Sequence, residues 1–247
     1  MSFANDEYGK RVIDFVTQLQ KLTDYEQICK LITTELEWFG LTFFTSFTMP
    51  GPGDEVKDGI LFNNRTPEYT RRYYEKNYIA YDPAITELRR NLNPYTWSDI
   101  RSTRKLGKPE RLILDEAIEF GSNEGLVVPI VTLSGSMDLF CPCGLDPDLS
   151  QRARAALEMI GIYSQNALKR AAMKRHRQQL NYKPLSDRER EVIRWMAVGK
   201  TNSEIADILS VGTSTVDTHW KRIQIKLDAS RRSYAVIQAL RAGEISL

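Results

Sequence analysis

Thr201 to Leu227 reads TNSEIADILSVGTSTVDTHWKRIQIKL, two helical segments separated by Ser210-Val211-Gly212. That spacing predicts a helix-turn-helix. In the first segment Ile205, Ala206, Ile208 and Leu209 share one apolar face, and Thr201 with Glu204 three residues on forms a capping box. Gly212 serves as N-cap of the second segment, whose Val216, Trp220, Ile223 and Leu227 recur at spacings of three and four and bind it to the first. The opposite face carries Ser214, Asp217, Thr218, Lys221 and Arg222. Hydroxyls, an acceptor and cations on an exposed helix are the groups that meet phosphates and base edges in a major groove. Short helices joined by three-residue turns also occur in all-α domains whose polar face is simply solvated, so the pattern alone leaves both readings open.

The flanks narrow the choice. Upstream, LSDREREVIRWMAVGK begins at Leu185 with a second capping box, Ser186 to Glu189, and an apolar stripe of Val192, Ile193, Trp195 and Met196. Downstream, SRRSYAVIQALRAGEI offers a fourth short helix with Ala235, Val236, Ala239 and Leu240 available for packing or self-association. Together Leu185, Arg188-Glu189, Val192-Ile193, Gly199-Lys200-Thr201, Glu204-Ile205-Ala206, Leu209, Thr215-Val216, His219, Lys226-Leu227 and Ala235-Val236 resemble the DNA-binding domain of LuxR-type transcription factors. On the presented face Lys221 suits guanine O6/N7 and Asp217 suits cytosine N4, unless Asp217 pairs with Arg222 or Lys221. Thr201, Thr213, Ser214, Thr215 and His219 are expected on phosphates, and Lys200, Thr218, Arg222 and Lys226 complete the expected DNA-binding face.

Charge follows the same division. Residues 1–168 hold 18 Lys and Arg against 24 Asp and Glu, a net of −6, whereas 169–247 hold 16 against 8, a net of +8. The basic end is the end with the helix-turn-helix, as phosphate neutralisation requires. Six of those cations lie between Lys169 and Lys183 with no carboxylate among them, a run that taken alone is an ordinary solvated helix end and linker. Length and an apolar fraction of 42% suit two globular domains, 1–170 and 185–247, joined by a basic linker over 171–184; the LuxR-type resemblance implies signal sensing for the first and DNA binding for the second. With no long apolar run and no leader, the chain is expected in the cytoplasm and off the membrane. Cys29, Cys141 and Cys143 lack the partners for a zinc site and are read as reduced thiols; no metal is expected.

The first domain opens with helical periodicity at Asn5–Leu22 and Asp24–Phe39, then a strand at Leu41–Met49 broken by Pro50-Gly51-Pro52-Gly53 and a shorter one at Lys57–Phe62. Thr66-Pro67 and Asp82-Pro83 each open a helix, the first to Lys76 and the second to Arg90. Pro94–Ser98 reads as irregular or briefly extended, and Pro109–Phe120 as helix. GLVVPIVTL (Gly125–Leu133) and MDLFCPC (Met137–Cys143) form a hairpin around Ser134-Gly135-Ser136. A long helix from Asp148 to Arg177 follows, with Leu149, Ala153, Ala156, Leu157, Ile160 and Tyr163 on one stripe. Strands in the middle with helices before and after give an α+β chain: an α/β/α sandwich around an antiparallel sheet, then an all-α domain of four helices.

The resemblance implies the same architecture, with a sensor domain that binds a small autoinducer, commonly an N-acyl homoserine lactone. By residue type alone Tyr69 and Tyr73 are half-buried packing and Asp82 is a helix cap. Tyr73, Asp82, Pro83, Trp97 and Gly125 nevertheless stand where the family has Tyr, Asp, Pro, Trp and Gly. The resemblance implies that Asp82 accepts the ligand amide in a charge-assisted bond and that Trp97 and Tyr73 wall the pocket. Cys141 falls where the family often has a Ser or Thr on the strand facing the ligand, and alternation puts Leu139 and Cys143 on its face. Two positions depart from the family: Tyr69 replaces the tryptophan that bonds the lactone carbonyl, and Arg65 stands where a tyrosine often meets the acyl carbonyl. A buried Arg65 favours an anionic or carbonyl-rich ligand, so aryl-acyl, branched-acyl and non-lactone signals stay open beside straight-chain lactones.

The resemblance therefore implies a ligand-responsive transcription factor, not an enzyme, that binds duplex DNA at an inverted repeat as a homodimer, with RNA polymerase as a further candidate partner. The helix from Ser233 to Ala242 and the long helix are the implied pairing surfaces, and no cofactor is expected beyond the signal. A phosphorylated receiver domain would open on a strand ending in paired carboxylates, and this chain opens on two helices. The only histidines are His176 and His219, which leaves none in the sensor domain for a catalytic triad or metal site. A regulator that binds DNA without ligand, or that answers another signal, remains the alternative.

Overall fold

A computed structural model describes residues 7–49, 59–88, 90–132, 137–179 and 183–245, the side chains of 176–179 and 241 excepted. The expectations for Pro50–Gly53, for the start of the second strand and for the Ser134–Ser136 turn lie outside these residues. The chain divides into two compact units, Met1–Ala172 and Met173–Leu247, the division falling within one long helix.

In the first unit α1 (Glu7–Leu19) and α2 (Tyr25–Glu37) lead into β1 (Phe43–Thr48) and β2 (Ile60–Asn63). Four short helices follow, α3 (Pro67–Glu75), α4 (Pro83–Glu87), α5 (Trp97–Thr103) and α6 (Lys108–Glu119), with β3 (Tyr95–Thr96) just before α5. β4 (Glu124–Val131), β5 (Met137–Gly144) and the long α7 (Gln151–Gln179) complete it. The sheet order is β2-β1-β5-β4-β3 and every neighbouring pair is antiparallel.

Alternation along the strands separates two cores. Phe44, Leu126, Val128 and Phe140 pack with Phe15, Leu19, Ile32, Leu36, Leu157 and Ile160 of α1, α2 and α7. Their neighbours Phe47, Val127, Leu139 and Cys143 pack instead with Tyr69, Ala84, Trp97, Ile100, Leu114 and Ala117 of α3 to α6. Helices thus cover both faces, the expected α/β/α sandwich. Burial of each large side chain contributes about 1.5–3 kcal/mol, so both cores are needed to offset the ordering of the strands.

Three sequence expectations are corrected. The brief extension read at Pro94–Ser98 is confined to Tyr95–Thr96, and Trp97 opens a helix to Thr103: Thr96 Oγ1 accepts the Asp99 N–H at 3.1 Å and Asp99 Oδ2 accepts the Thr96 N–H at 2.8 Å, a capping box that starts a helix too short for periodicity to detect. Tyr163 on α7 and Ile208 in the second unit are exposed rather than on the buried stripes. The second opening helix, from Asp82, ends at Glu87 and not Arg90.

Gly125 shows how tightly the second core is built. A Cβ placed there would lie 2.8 Å from the Trp97 indole. Gly125→Ala should therefore push Trp97 off the sheet and lower stability by about 1–3 kcal/mol, measured by urea denaturation; unchanged stability with unchanged Trp97 fluorescence would contradict this packing.

Candidate functional site

The four short helices over β1, β2 and β5 leave a cavity of about 120 Å³. Asp82 is its chemical centre. Asp82 Oδ1 accepts the Ala84 N–H at 2.8 Å, capping α4, while Oδ2 accepts the Tyr73 hydroxyl at 2.7 Å and so ties α3 to α4. A carboxylate has roughly four acceptor positions, so the cap and Tyr73 leave Asp82 able to take a ligand N–H. Burial raises its pKa, opposed by the bonds from Tyr73 and Ala84. The Tyr73 phenol is pushed well above its ordinary value by burial and by Asp82, so it stays a donor.

Donors surround that acceptor. Tyr69, four per cent exposed, lines the cavity from α3, and Thr66 Oγ1 caps that helix through the Tyr69 N–H. Burial raises the Tyr69 phenol, with Arg65 opposing. Among the described residues neither the Tyr69 hydroxyl nor the Trp97 indole N–H has a hydrogen-bond partner, so both are available to carbonyl oxygens. Arg65 is half-buried, with its guanidinium 4.8 Å from the Tyr69 ring centroid and 5.6 Å from that of Trp97. Thr45, Asn63 and Thr70 form a polar corner that the sequence did not single out: Asn63 Oδ1 accepts the Thr45 hydroxyl at 3.2 Å, and Asn63 Nδ2 donates to Thr70 Oγ1 at 3.2 Å. Alternation along β1 does place Thr45 on the face of Phe47, the available sequence signal.

The second unit is built from α8 (Asp187–Ala197), α9 (Asn202–Leu209), α10 (Thr213–Leu227) and α11 (Arg232–Arg241) around Leu185, Val192, Ile193, Ile205, Val216 and Ile223. α9 ends on Ser210 in the left-handed region (φ 53°), and Gly212 caps α10, which makes the tight turn between them. Thr213, Ser214, Thr215, Asp217, Thr218, Lys221 and Arg222 are exposed on or beside one face of α10, while His219 is half-buried.

The model for the autoinducer binding domain matches residues 24–168, and that for the luxR family of bacterial regulatory proteins matches residues 183–239. The chain belongs to the LuxR family of transcriptional regulators. It is 30% identical to the HTH-type quorum sensing-dependent transcriptional regulator RpaR of Rhodopseudomonas palustris over 97% of each protein. It is 26% identical to the transcriptional activator protein BjaR1 of Bradyrhizobium diazoefficiens, over 95% of this chain and 96% of that one. The crystal structure of Escherichia coli SdiA shares the fold, with a TM-score of 0.74 and 21% identity over 98% of this chain and 100% of that chain. A LuxR regulator is a transcription factor and not an enzyme, and no helix among the described residues is long and apolar enough to cross a membrane.

Not every residue expected at the two sites reaches them. Arg65, Tyr69, Tyr73, Asp82, Trp97 and Cys141 line the cavity of this LuxR regulator together. Leu139 does not: it is fully buried in the core beneath. Gly125 has no side chain to offer and acts by admitting Trp97. In the helix-turn-helix, Lys226 turns inward, its ammonium 2.7 Å from Glu189 Oε2 and 3.0 Å from the Pro184 carbonyl, because that buried carboxylate needs a counter-ion. Asp217 pairs with neither Lys221 nor Arg222; it accepts from Asn202 Nδ2, whose Oδ1 accepts from Arg232 at 2.6 Å. The Thr201 hydroxyl is held by Glu204 in the α9 cap, and Lys200 lies 2.9 Å from Glu204 Oε1. Thr218 bonds back to the Ser214 carbonyl at 2.9 Å.

Burial pushes the Glu189 carboxyl up, but Lys226 and the Ser186 cap outweigh it and hold it below its ordinary value. A carboxyl depressed on folding stabilises above its unfolded pKa and loses that contribution as pH falls through the folded one. Lys226→Ala should thus destabilise the second unit by on the order of 2–3 kcal/mol at neutral pH and by less at low pH. Lys221→Ala should leave the melting temperature unchanged; equal melting of both variants would contradict the assignment.

Proposed function

We propose that this LuxR regulator senses an N-acyl homoserine lactone as a quorum signal and then binds an inverted-repeat promoter site as a homodimer. The carrying observation is the Asp82 carboxylate in a largely apolar cavity, with acceptor capacity to spare and the Tyr69 and Trp97 donors nearby. An acyl homoserine lactone offers one amide N–H and two carbonyl oxygens. Asp82 takes the N–H and Tyr69 and Trp97 take the oxygens, while Ile79, Ile85 and Ile113 meet the hydrocarbon.

The dimer reading is supported by large apolar side chains left exposed within each unit: Met159 and Tyr163 on α7, Tyr234 and Ile237 on α11. For DNA, Lys221 and Asp217 are the base readers and Thr213, Ser214, Thr215 and Arg222 the phosphate contacts, with Asn202 and Arg232 orienting Asp217. Ligand control follows if the filled cavity stabilises the DNA-competent state.

Thermal unfolding of the full chain against a panel of acyl, branched-acyl and aryl homoserine lactones tests this. A ligand at a hundred times its dissociation constant should stabilise the protein by about 2.7 kcal/mol, and Asp82→Ala should abolish the shift. A panel with no effect on folded protein would refute the lactone. Because burial raises the Asp82 pKa, affinity should be flat near neutrality and fall on acidification, starting above the usual aspartate range, since only the ionised carboxyl is a pure acceptor. Calorimetry across pH checks the sign: affinity rising on acidification would contradict it.

A further inference from the structure

The lactone reading leaves one cavity group without an assigned partner: the guanidinium of Arg65. The residue lies between β2 and α3, where Asn63 Oδ1 accepts its backbone N–H at 3.1 Å. Tyr69 and Trp97 flank the flat cation through their ring faces. Its Nη2 donates to Cys143 Sγ at 2.9 Å, and a thiol is a weak acceptor. Among the described residues no carboxylate lies within ion-pair distance of it.

A guanidinium carries five N–H donors in a rigid fork. Half-buried, it needs acceptor oxygens, and neighbouring charge does not supply them: Asp82 lies beyond ion-pair distance of the fork. Nor does a plain acyl homoserine lactone. Its two carbonyl oxygens match Tyr69 and Trp97, which leaves the fork facing hydrocarbon.

We propose that Arg65 is a specificity-determining residue that selects signals carrying a third acceptor group, a ketone or carboxylate, over acyl lactones with a bare hydrocarbon chain. The inference rests on the lactone reading above. The extra oxygen has two sources, a 3-oxo group on the acyl chain or the carboxylate of an opened lactone ring, and both present lone pairs to the fork.

The test is calorimetric binding to the full chain of N-hexanoyl homoserine lactone, N-(3-oxohexanoyl) homoserine lactone and ring-opened N-hexanoyl homoserine. At least one oxygenated probe should bind about tenfold or more tighter than the plain lactone, the scale of a charge-assisted hydrogen bond. Which of the two does so names the source. Arg65→Met should bring that probe and the plain lactone to within about twofold of each other, and Arg65→Lys, which keeps the charge without the fork, should fall between. A wild type that binds the plain lactone as tightly as both oxygenated probes overturns the inference and leaves the lactone reading standing, as does a preference that survives in folded Arg65→Met. Should that variant not fold, the wild-type ranking and Arg65→Lys decide. Binding of none of the three while a branched-acyl or aryl lactone still binds overturns the inference and leaves the lactone reading standing; binding of no lactone at all overturns both.

Discussion

A central antiparallel sheet has two apolar faces, and each must be covered. Long helices do this well on one side, where α1, α2 and α7 close over Phe44, Leu126, Val128 and Phe140. The other face is covered by helices of nine, five, seven and twelve residues, which leave a space among them. The gap they leave is the cavity. Interiors otherwise pack to crystal-like density, so an apolar space lined by a carboxylate and several donors has the character of a binding site and not of a packing fault.

Asp82 joins fold to site. Its carboxylate caps α4 and receives Tyr73 from α3, so the walls of the cavity are held by the same group proposed to receive the signal. A ligand N–H on Asp82 adds a further donor to a buried acceptor and stabilises the arrangement of α3 and α4 that the cap already favours. Asp82 is thus proposed to retain the signal and Arg65 to select it. In the second unit Glu189 plays the comparable structural part, closing the α8 cap and gathering Lys226.

Much of this was legible in the residues. Thr201 with Glu204, Ser186 with Glu189, and Asp82 before Pro83 fix helix starts through local chemistry, which a sequence displays directly. The strands of the hairpin were visible as short apolar runs either side of Ser134-Gly135-Ser136, even with Pro142 inside central β5, a place where a missing donor argues against a strand. The cavity residues were nameable because the family pattern fixes their places. What failed depended on contacts distant in sequence. Lys226 looked like one more cation on a basic helix, yet its direction is decided by Glu189 thirty-seven residues earlier. Leu139 and Cys141 share a strand face, but only depth decides that one is core and the other cavity wall. Asn63 gave no signal and Thr45 only its strand face, because their role comes from strand pairing.

The central claim is that filling the Asp82 cavity governs DNA binding. Selection of duplexes from a random pool by the full chain, with and without the lactone that gives the largest thermal shift, tests it most directly, with Asp82→Ala alongside. Enrichment of a two-fold symmetric site is expected with the lactone, little without it, and little for Asp82→Ala in either case. The same site recovered with equal yield from ligand-free protein and from Asp82→Ala would contradict it.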